Sequence, residues 1–425
     1  MLRANVIEGV LKHIHEGELV DLARALVRIN SVWDPESGTS EKEVAEFVAK
    51  WARDEGFQVT VEEVLPARPN VIITWEGADA SKTLMFEAHT DVVTPGDPSL
   101  WKYDPFGGDI VDGKLFGRGA NDTKGNLAAM LMAMASIKRS GLEVQGRIVA
   151  GVLCDEEGMM AGVQDFIKKG HADEVAAAII CEPQDGMICH VQKGAIRARF
   201  IAKGRMSHGA MPLSGLNPIP LLGKVIGNLS QLELRAIKEV GEDPLLGWPS
   251  FTPTVFRAPS KGPAQLNVIP ATAELLVDIR TVPAQSHGEI VRELKELASE
   301  CLRETEEEYR SLDVLLGIER ERALELQLEI LTDRPCTHTP LDHPLVKALD
   351  WATKSVTGRD PVHGGVPGAT DGTYLWALKG IPIVTTGAGK RDVPHQVDEW
   401  VDLRQLLDTA KIYALGALAY LSIPS

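Results

Sequence analysis

Two rhythms alternate along the first half of the chain. Apolar residues recur every three or four positions from Glu18 to Asn30 and from Glu41 to Glu55, the spacing of one helical face. Strand-like runs follow: FQVTVEEV from Phe57, NVIITWEG from Asn70 and TLMFEA from Thr83. The stretch GNLAAMLMAMASIKRSG after Lys124 predicts a long helix stopped at Gly141. RIVAGVL from Arg147 and AAAIIC from Ala176 are apolar almost without a break, as strands covered on both faces are. The opening MLRANVIEGVLKHIHEG reads as one amphipathic helix.

The rhythm changes at about Lys193. AIRARFIAKG and ATAELLVDIRTV alternate with period two, with a helix beginning near Asn217 between them. A charged helix, EIVRELKELASECLRETEEEY, precedes a last alternating strand, ALELQLEIL. Beyond Thr339 the first rhythm returns: HPLVKALDWATKSV as helix, IPIVTTG as strand, and a helix from Leu403. The reading is an α/β domain over residues 1–192 and 339–425, interrupted by a smaller α+β domain over 193–338.

Composition narrows the function classes. Of 425 residues, 44% are hydrophobic and 24% charged, which excludes disordered and collagen-like chains. Forty-four basic against 60 acidic residues give a formal charge of −16, so nucleic acid and anionic membranes are not expected as partners. Five scattered cysteines without a CxxC fit a reducing compartment. The N-terminus lacks the apolar core of a signal peptide, and no uncharged apolar run reaches the length of about 18 residues that a span needs. The expectation is a soluble cytoplasmic protein.

Several catalytic motifs are missing: there is no GxSxG elbow, no phosphate loop and no HExxH. Gly117-Arg118-Gly119 begins like a dinucleotide fingerprint, but Asp122 stands where the third glycine should be and would repel a pyrophosphate. What remains is a series of histidines and carboxylates just past strand ends. TLMFEA runs into His89-Thr90-Asp91, DGKLFGRGAN into Asp122, and RIVAGVLC into Asp155-Glu156-Glu157. AAAIIC runs into Glu182, and IPIVTTGAGKRDVP into His395. Any one of these is commonly a capped turn or a solvated helix start. Five at the carboxyl ends of strands, where α/β sheets bind ligands, point to a metal centre. Imidazole and carboxylate donors without thiolate suit zinc, with cobalt or manganese as substitutes. His13, His15, His171, His190, His287, His338, His343 and His363 read as surface or core residues.

The stretches AHTDVV, WKYDPFGGDIVDGKLFGRGANDTKG, DEEGMMAG, CEP and HQVDEW, in this order and spacing, resemble metallopeptidase family 20. That family of dinuclear zinc hydrolases includes acetylornithine deacetylase, succinyl-diaminopimelate desuccinylase, aminoacylase and carboxypeptidase G. The resemblance covers nearly the whole chain. It implies a zinc-exopeptidase-like α/β/α catalytic domain and an inserted ferredoxin-like lid and dimerisation domain. It also implies two divalent ions: His89 and Glu182 on one, Glu157 and His395 on the other, and Asp122 bridging them. Glu156 corresponds to the general base, and Asp91 to the carboxylate that orients the His89 imidazole. GRMSHGAMPLSGLNPI matches the motif whose histidine, His208, reaches over the active site. Asn267 and Arg280 resemble the residues that grip the substrate's carboxylate end. GGVPGATDGTYL, with Gly368 and Thr370, resembles the substrate-binding loop. Ala88, Thr123 and Asp398 depart from the family's usual glycine, methionine and asparagine without removing a ligand.

These residues suit amide hydrolysis. Two metals can hold a hydroxide and polarise the carbonyl, while a free Glu156 takes the proton and returns it to the leaving amine. An imidazole from His208 would stabilise the oxyanion, and Arg280 would hold a carboxylate by paired hydrogen bonds. The resemblance therefore implies an N-acyl amino acid amidohydrolase, a homodimer acting on a small carboxylate-bearing amide. Dipeptidase or carboxypeptidase activity and N-carbamoyl hydrolysis are alternatives on the same site. A catalytically silent metal-binding scaffold and a nucleotide-binding GRGAND loop are the readings from other classes.

Overall fold

The computed structural model describes residues 2–79, 82–319 and 324–422. Ala323, where the expected strand ALELQLEIL begins, lies outside them; the strand itself runs over Glu325–Arg334. The chain divides into two compact units. The first holds the residues up to Val191, Thr337–Val366 and the chain from Thr370 onward; the second holds Gln192–Cys336 with Pro367–Ala369.

The first unit is built on a nine-stranded sheet. Its centre is four parallel neighbours: Arg147–Leu153, Thr83–His89, Val175–Ile180 and Ile383–Thr385. The strands Arg68–Glu76 and Gln58–Leu65 add antiparallel pairings at one side. Every residue of Thr83–His89 is buried, because helices cover both faces. Leu84, Phe86 and Ala88 pack into one core with the helices Glu16–Val27, Lys42–Asp54, Lys124–Arg139, Pro344–Thr357 and Leu403–Leu421. Met85 turns the other way, into a second core with Ala161–Lys168 and Gly372–Lys379. The arrangement is α/β/α, as the unbroken apolar strands require.

Lys124–Arg139 is buried from Lys124 to Ile137, a helix apolar nearly all round and enclosed on all sides. Gly141 ends it with φ +65°, the left-handed stop that glycine adopts at no steric cost. The N-terminal segment differs from the single helix expected. Ala4–Leu11 ends, the chain turns, and a new helix starts at Glu16, so that Val10 and Ile14 both reach the first core.

The second unit runs strand Gly194–Lys203, helix Ile219–Val240, strands Ser250–Arg257 and Thr272–Thr281, helix His287–Leu316, and strand Glu325–Arg334. In space the antiparallel order is Ser250–Arg257, Thr272–Thr281, Gly194–Lys203, Glu325–Arg334. A βαββαβ chain in that order is ferredoxin-like. One sheet face (Ile196, Ala198, Phe200, Leu275, Val277, Ile279) meets the two helices. The other carries ion pairs, Arg199 to Glu274 at 2.7 Å and Arg280 to Asp278 at 2.6 Å among them. No helix among the described residues is long and apolar enough to cross a membrane.

Candidate metal centre

Three of the parallel strands point their carboxyl ends at one edge of the sheet. His89 pairs with Leu153, and Glu87 with Ile180, so His89, the Asp155-Glu156-Glu157 turn and Glu182 emerge side by side. Asp122 arrives differently from the expectation. Lys114–Phe116 lies in a separate three-stranded sheet with Asp109–Val111 and Trp400–Asp402. Asp122 is therefore delivered by the loop entering the Lys124–Arg139 helix, and His395 by the long loop after Ile383–Thr385.

Two constellations result, His89 with Asp122 and Glu182, and Asp122 with Glu157 and His395; in each the donor atoms lie within 4.8 Å of one another. His89 Nε2 is 3.1 Å from Asp122 Oδ1 and 3.3 Å from Glu182 Oε1. His395 Nε2 is 2.8 Å from Glu157 Oε1 and 3.5 Å from the other Asp122 oxygen, Oδ2. The carboxylate of Asp122 thus faces both groups, one oxygen to each. Burial opposes a charge on His89, but Glu182 and Asp122 outweigh it and hold its pKa well above the usual range. Bonds to Asp122 and Glu157 raise His395 to about 10. Burial would raise Asp122, yet the two imidazoles keep it well below the ordinary carboxylate range. Burial and the Asp122 charge lift Glu182 to about 7.

Glu156 differs from its neighbour. Its carboxylate makes no hydrogen bond or ion pair with the described residues, while burial, followed by the charges around it, pushes its pKa well up. Asp155, at φ +64°, provides the sharp turn that separates the two glutamates. Its carboxylate accepts the N–H groups of Met159 and Ala161 and pairs with Arg68, which also binds Glu41. Asp91 meets the His89 imidazole through two groups. His89 Nδ1 donates to the Asp91 carbonyl at 3.0 Å, whereas the Asp91 carboxylate lies 3.7 Å away. That carboxylate also accepts the backbone N–H groups of Glu156 at 3.1 Å and Glu157 at 3.0 Å.

The sequence pattern of peptidase family M20/M25/M40 matches residues 85–418. The chain belongs to that family. It is 26% identical to a probable succinyl-diaminopimelate desuccinylase of Staphylococcus epidermidis, over 96% of this chain and 99% of the relative. It is likewise 26% identical to a Bacillus subtilis N-formyl-4-amino-5-aminomethyl-2-methylpyrimidine deformylase, over 94% and 93%. Its fold resembles that of the dipeptidase Dug1p of Saccharomyces cerevisiae, with a TM-score of 0.75 at 18% identity and full coverage of both chains. The protein is a metal-dependent amide hydrolase.

The M20 fold implies two metal ions, and the residues fit them. The two oxygens of Asp122 face different imidazoles, and Glu182 Oε1 is buried without a hydrogen-bond donor, an acceptor suited to a cation.

In the second unit of this M20 chain, Ser207–His208 pairs with Val268–Ile269, which sets the exposed His208 opposite Val268 and beside Asn267. His208 Nδ1 accepts the Ala210 N–H at 3.0 Å. Arg280 is bidentate to Asp278, at 2.6 and 3.2 Å. A methyl group on Gly368 would meet open space, so no steric demand requires glycine there, and Thr370 is buried.

Sequence reasoning passed over the groups that hold the ligands. Glu399 is fully buried and accepts the N–H groups of Gly119, Asn121 and Asp122, each at 3.0 Å, and the Arg118 guanidinium at 2.5 Å. Asp398, one residue earlier, has φ +52°, a region open to both asparagine and aspartate, which accounts for the departure at that position. Glu87, inside an otherwise apolar strand, is wholly buried with neither oxygen hydrogen-bonded; burial, then the charges of Asp371 and Glu182, push its pKa far up. A lone glutamate in such a run was the available signal.

Proposed function

We propose that the protein hydrolyses the amide bond of an N-acyl amino acid-type substrate with a free carboxylate. The observation that carries this reading is the uncommitted carboxylate of Glu156 beside the doubly faced Asp122. His89, Asp122 and Glu182 would hold one ion and Asp122, Glu157 and His395 the other, with zinc the expected metal and cobalt or manganese its substitutes. When bound, the ions supply Lewis acidity at the scissile carbonyl and lower the pKa of water. Glu156 takes a proton from the attacking water on a carboxylate oxygen and returns it to the leaving nitrogen. Asp91, through the N–H groups of Glu156 and Glu157, keeps base and ligand apart.

In this reading His208 donates to the developing oxyanion, and Asn267, Arg280, Gly368 and Thr370 bind the substrate. The second unit serves as lid and homodimerisation module, and the enzyme works in the cytoplasm. A second reading follows from the Arg280–Asp278 pair: with its guanidinium already bidentate, Arg280 leaves room for an amide substrate that lacks a carboxylate. The deformylase relative is named for a substrate of that kind.

A mass-spectrometric hydrolysis screen decides between them. The panel holds N-acetyl, N-succinyl, N-formyl and N-carbamoyl amino acids, dipeptides and the methyl ester of each. Cleavage of free acids but not esters supports the first reading. Equal cleavage of both supports the second, and the best acyl group names the substrate class.

A further inference from the structure

The carboxylate of Glu156 has no partner among the described residues, so the backbone turn that carries it sets its direction. Asp155 begins that turn at φ +64°, and its own carboxylate folds back over the loop that follows. One oxygen accepts the N–H of Met159 at 3.2 Å and that of Ala161 at 3.1 Å. Gly158 leaves the space for it: a Cβ there would come 2.4 Å from the other oxygen, Oδ1. The loop is thus wound around a carboxylate one residue before the candidate base.

A carboxylate this buried needs a counter-charge, and Arg68, the first residue of the strand Arg68–Glu76, supplies it. Its Nη1 lies 2.6 Å from Asp155 Oδ1, while Nε and Nη2 donate to one oxygen of Glu41 at 2.7 and 2.5 Å. Glu41 thereby fixes the fork, and Asp155 receives its free end. The Trp33 ring covers the guanidinium at 5.0 Å, and none of the three charged side chains is more than 8% exposed. Asn70, two residues along the same strand, holds the root of the loop. Its side chain accepts the Cys154 N–H at 3.1 Å and donates to the Gly162 carbonyl at 2.8 Å.

We propose that Arg68 is a positioning residue for Glu156: it fixes Asp155 and, through the turn, sets where the base meets the attacking water. The inference rests on the reading of Glu156 as general base. Asp91 holds the N–H groups of Glu156 and Glu157 themselves, and Arg68 adds the restraint on the residue before them. Lysine cannot take over this task. Its ammonium is a point charge on a flexible stem and lacks the planar fork that spans Glu41 and Asp155 together. A base displaced by about 1 Å costs rate rather than substrate binding.

The test measures kcat, KM and bound zinc for Arg68→Lys, alone and on a Glu156→Gln background, with the fastest-cleaved amide of the hydrolysis panel. Alone, the substitution should lower kcat about 10–100-fold with KM and zinc content unchanged. On Glu156→Gln it should lower the residual rate no further, because the positioned group has already lost its basicity. Wild-type kcat in Arg68→Lys, an equal loss on both backgrounds, or a fall in kcat matched by lost zinc overturns the inference and leaves the base reading standing. A Glu156→Gln variant as active as the wild type overturns the base reading and this inference with it. Should Arg68→Lys fold poorly, Glu41→Gln weakens the same fork without removing the cation. Its kcat should fall about 10-fold, and an unchanged kcat again overturns the inference.

Discussion

The carboxylate of Asp91 accepts the backbone N–H of Glu156 at 3.1 Å. A residue two positions beyond the first candidate ligand thus holds the candidate base from behind, together with the N–H of Glu157. Asp91→Ala should therefore act on both residues through the turn. We expect a fall in kcat of about 10–100-fold with only a modest change in KM. Loss of metal affinity through His89 alone, with kcat of the fully loaded enzyme unchanged, would contradict this.

Glu156→Gln keeps the shape of the side chain and removes its basicity. Turnover should drop by about 10²–10⁴-fold, the usual share of a positioned general base. Metal content measured by mass spectrometry should be that of the wild type, since Glu156 belongs to neither ligand constellation. Activity surviving the change would remove Glu156 from the role.

Metal uptake should release protons. In chelator-stripped protein His395, raised to about 10 by Asp122 and Glu157, is protonated at neutral pH, and Glu182 and Asp122 shift His89 in the same direction. Ligation requires neutral imidazole, so at least the His395 proton must leave when the centre fills at pH 7. Zinc titrations in buffers of different ionisation enthalpy count them, and affinity should rise with pH. The linkage also has a sign for stability. A group whose folded pKa is raised contributes fully below its unfolded value of about 6.5 and loses that contribution as pH passes the folded value. For His395 the stripped protein should lose melting temperature between about pH 6.5 and about 10, a slope the loaded protein lacks. No proton release on binding would refute the charge states assigned here.

Gly389 lies in the loop that carries His395, with φ +103°, and a Cβ there would come 1.6 Å from Asn121 Oδ1. Gly389→Ala should displace Asn121, whose amide holds the Lys390 carbonyl, and shift the neighbouring Asp122. Destabilisation of about 1–3 kcal/mol by urea unfolding is expected, with loss of bound metal. Gly368→Ala, in open space at an ordinary φ, is the control and should leave the unfolding midpoint unchanged.

Much of this protein is legible without coordinates. Apolar strands with no polar alternation call for two covering layers, and strands that all run the same way bring their following residues to one edge. His89, Glu157 and Glu182 were readable for that reason, because each ends a strand or follows one by a few residues. The strand Ser250–Arg257 was harder to see. It carries Pro253 and exposes most of its residues, which only an edge strand tolerates. The partner of Arg280 was hidden for another reason: Asp278 and Arg280 share a face only once the strand Thr272–Thr281 is formed, where Asp278 takes the Nε and Nη2 edge of the guanidinium.

The chain's sequence by itself determined the α/β/α layering, the smaller alternating sheet and the residue types of the metal centre, because periodicity and strand-end chemistry are local properties. Tertiary structure alone decided that Glu399 would hold the Asp122 loop and that the Asp91 carboxylate would accept the Glu156 N–H. The Glu399 contact to the Asp122 N–H spans 277 positions and that of Asp91 to Glu156 spans 65. Which buried acceptor meets which donor across such distances is set by the register and packing of whole strands, and no short stretch of sequence carries that information.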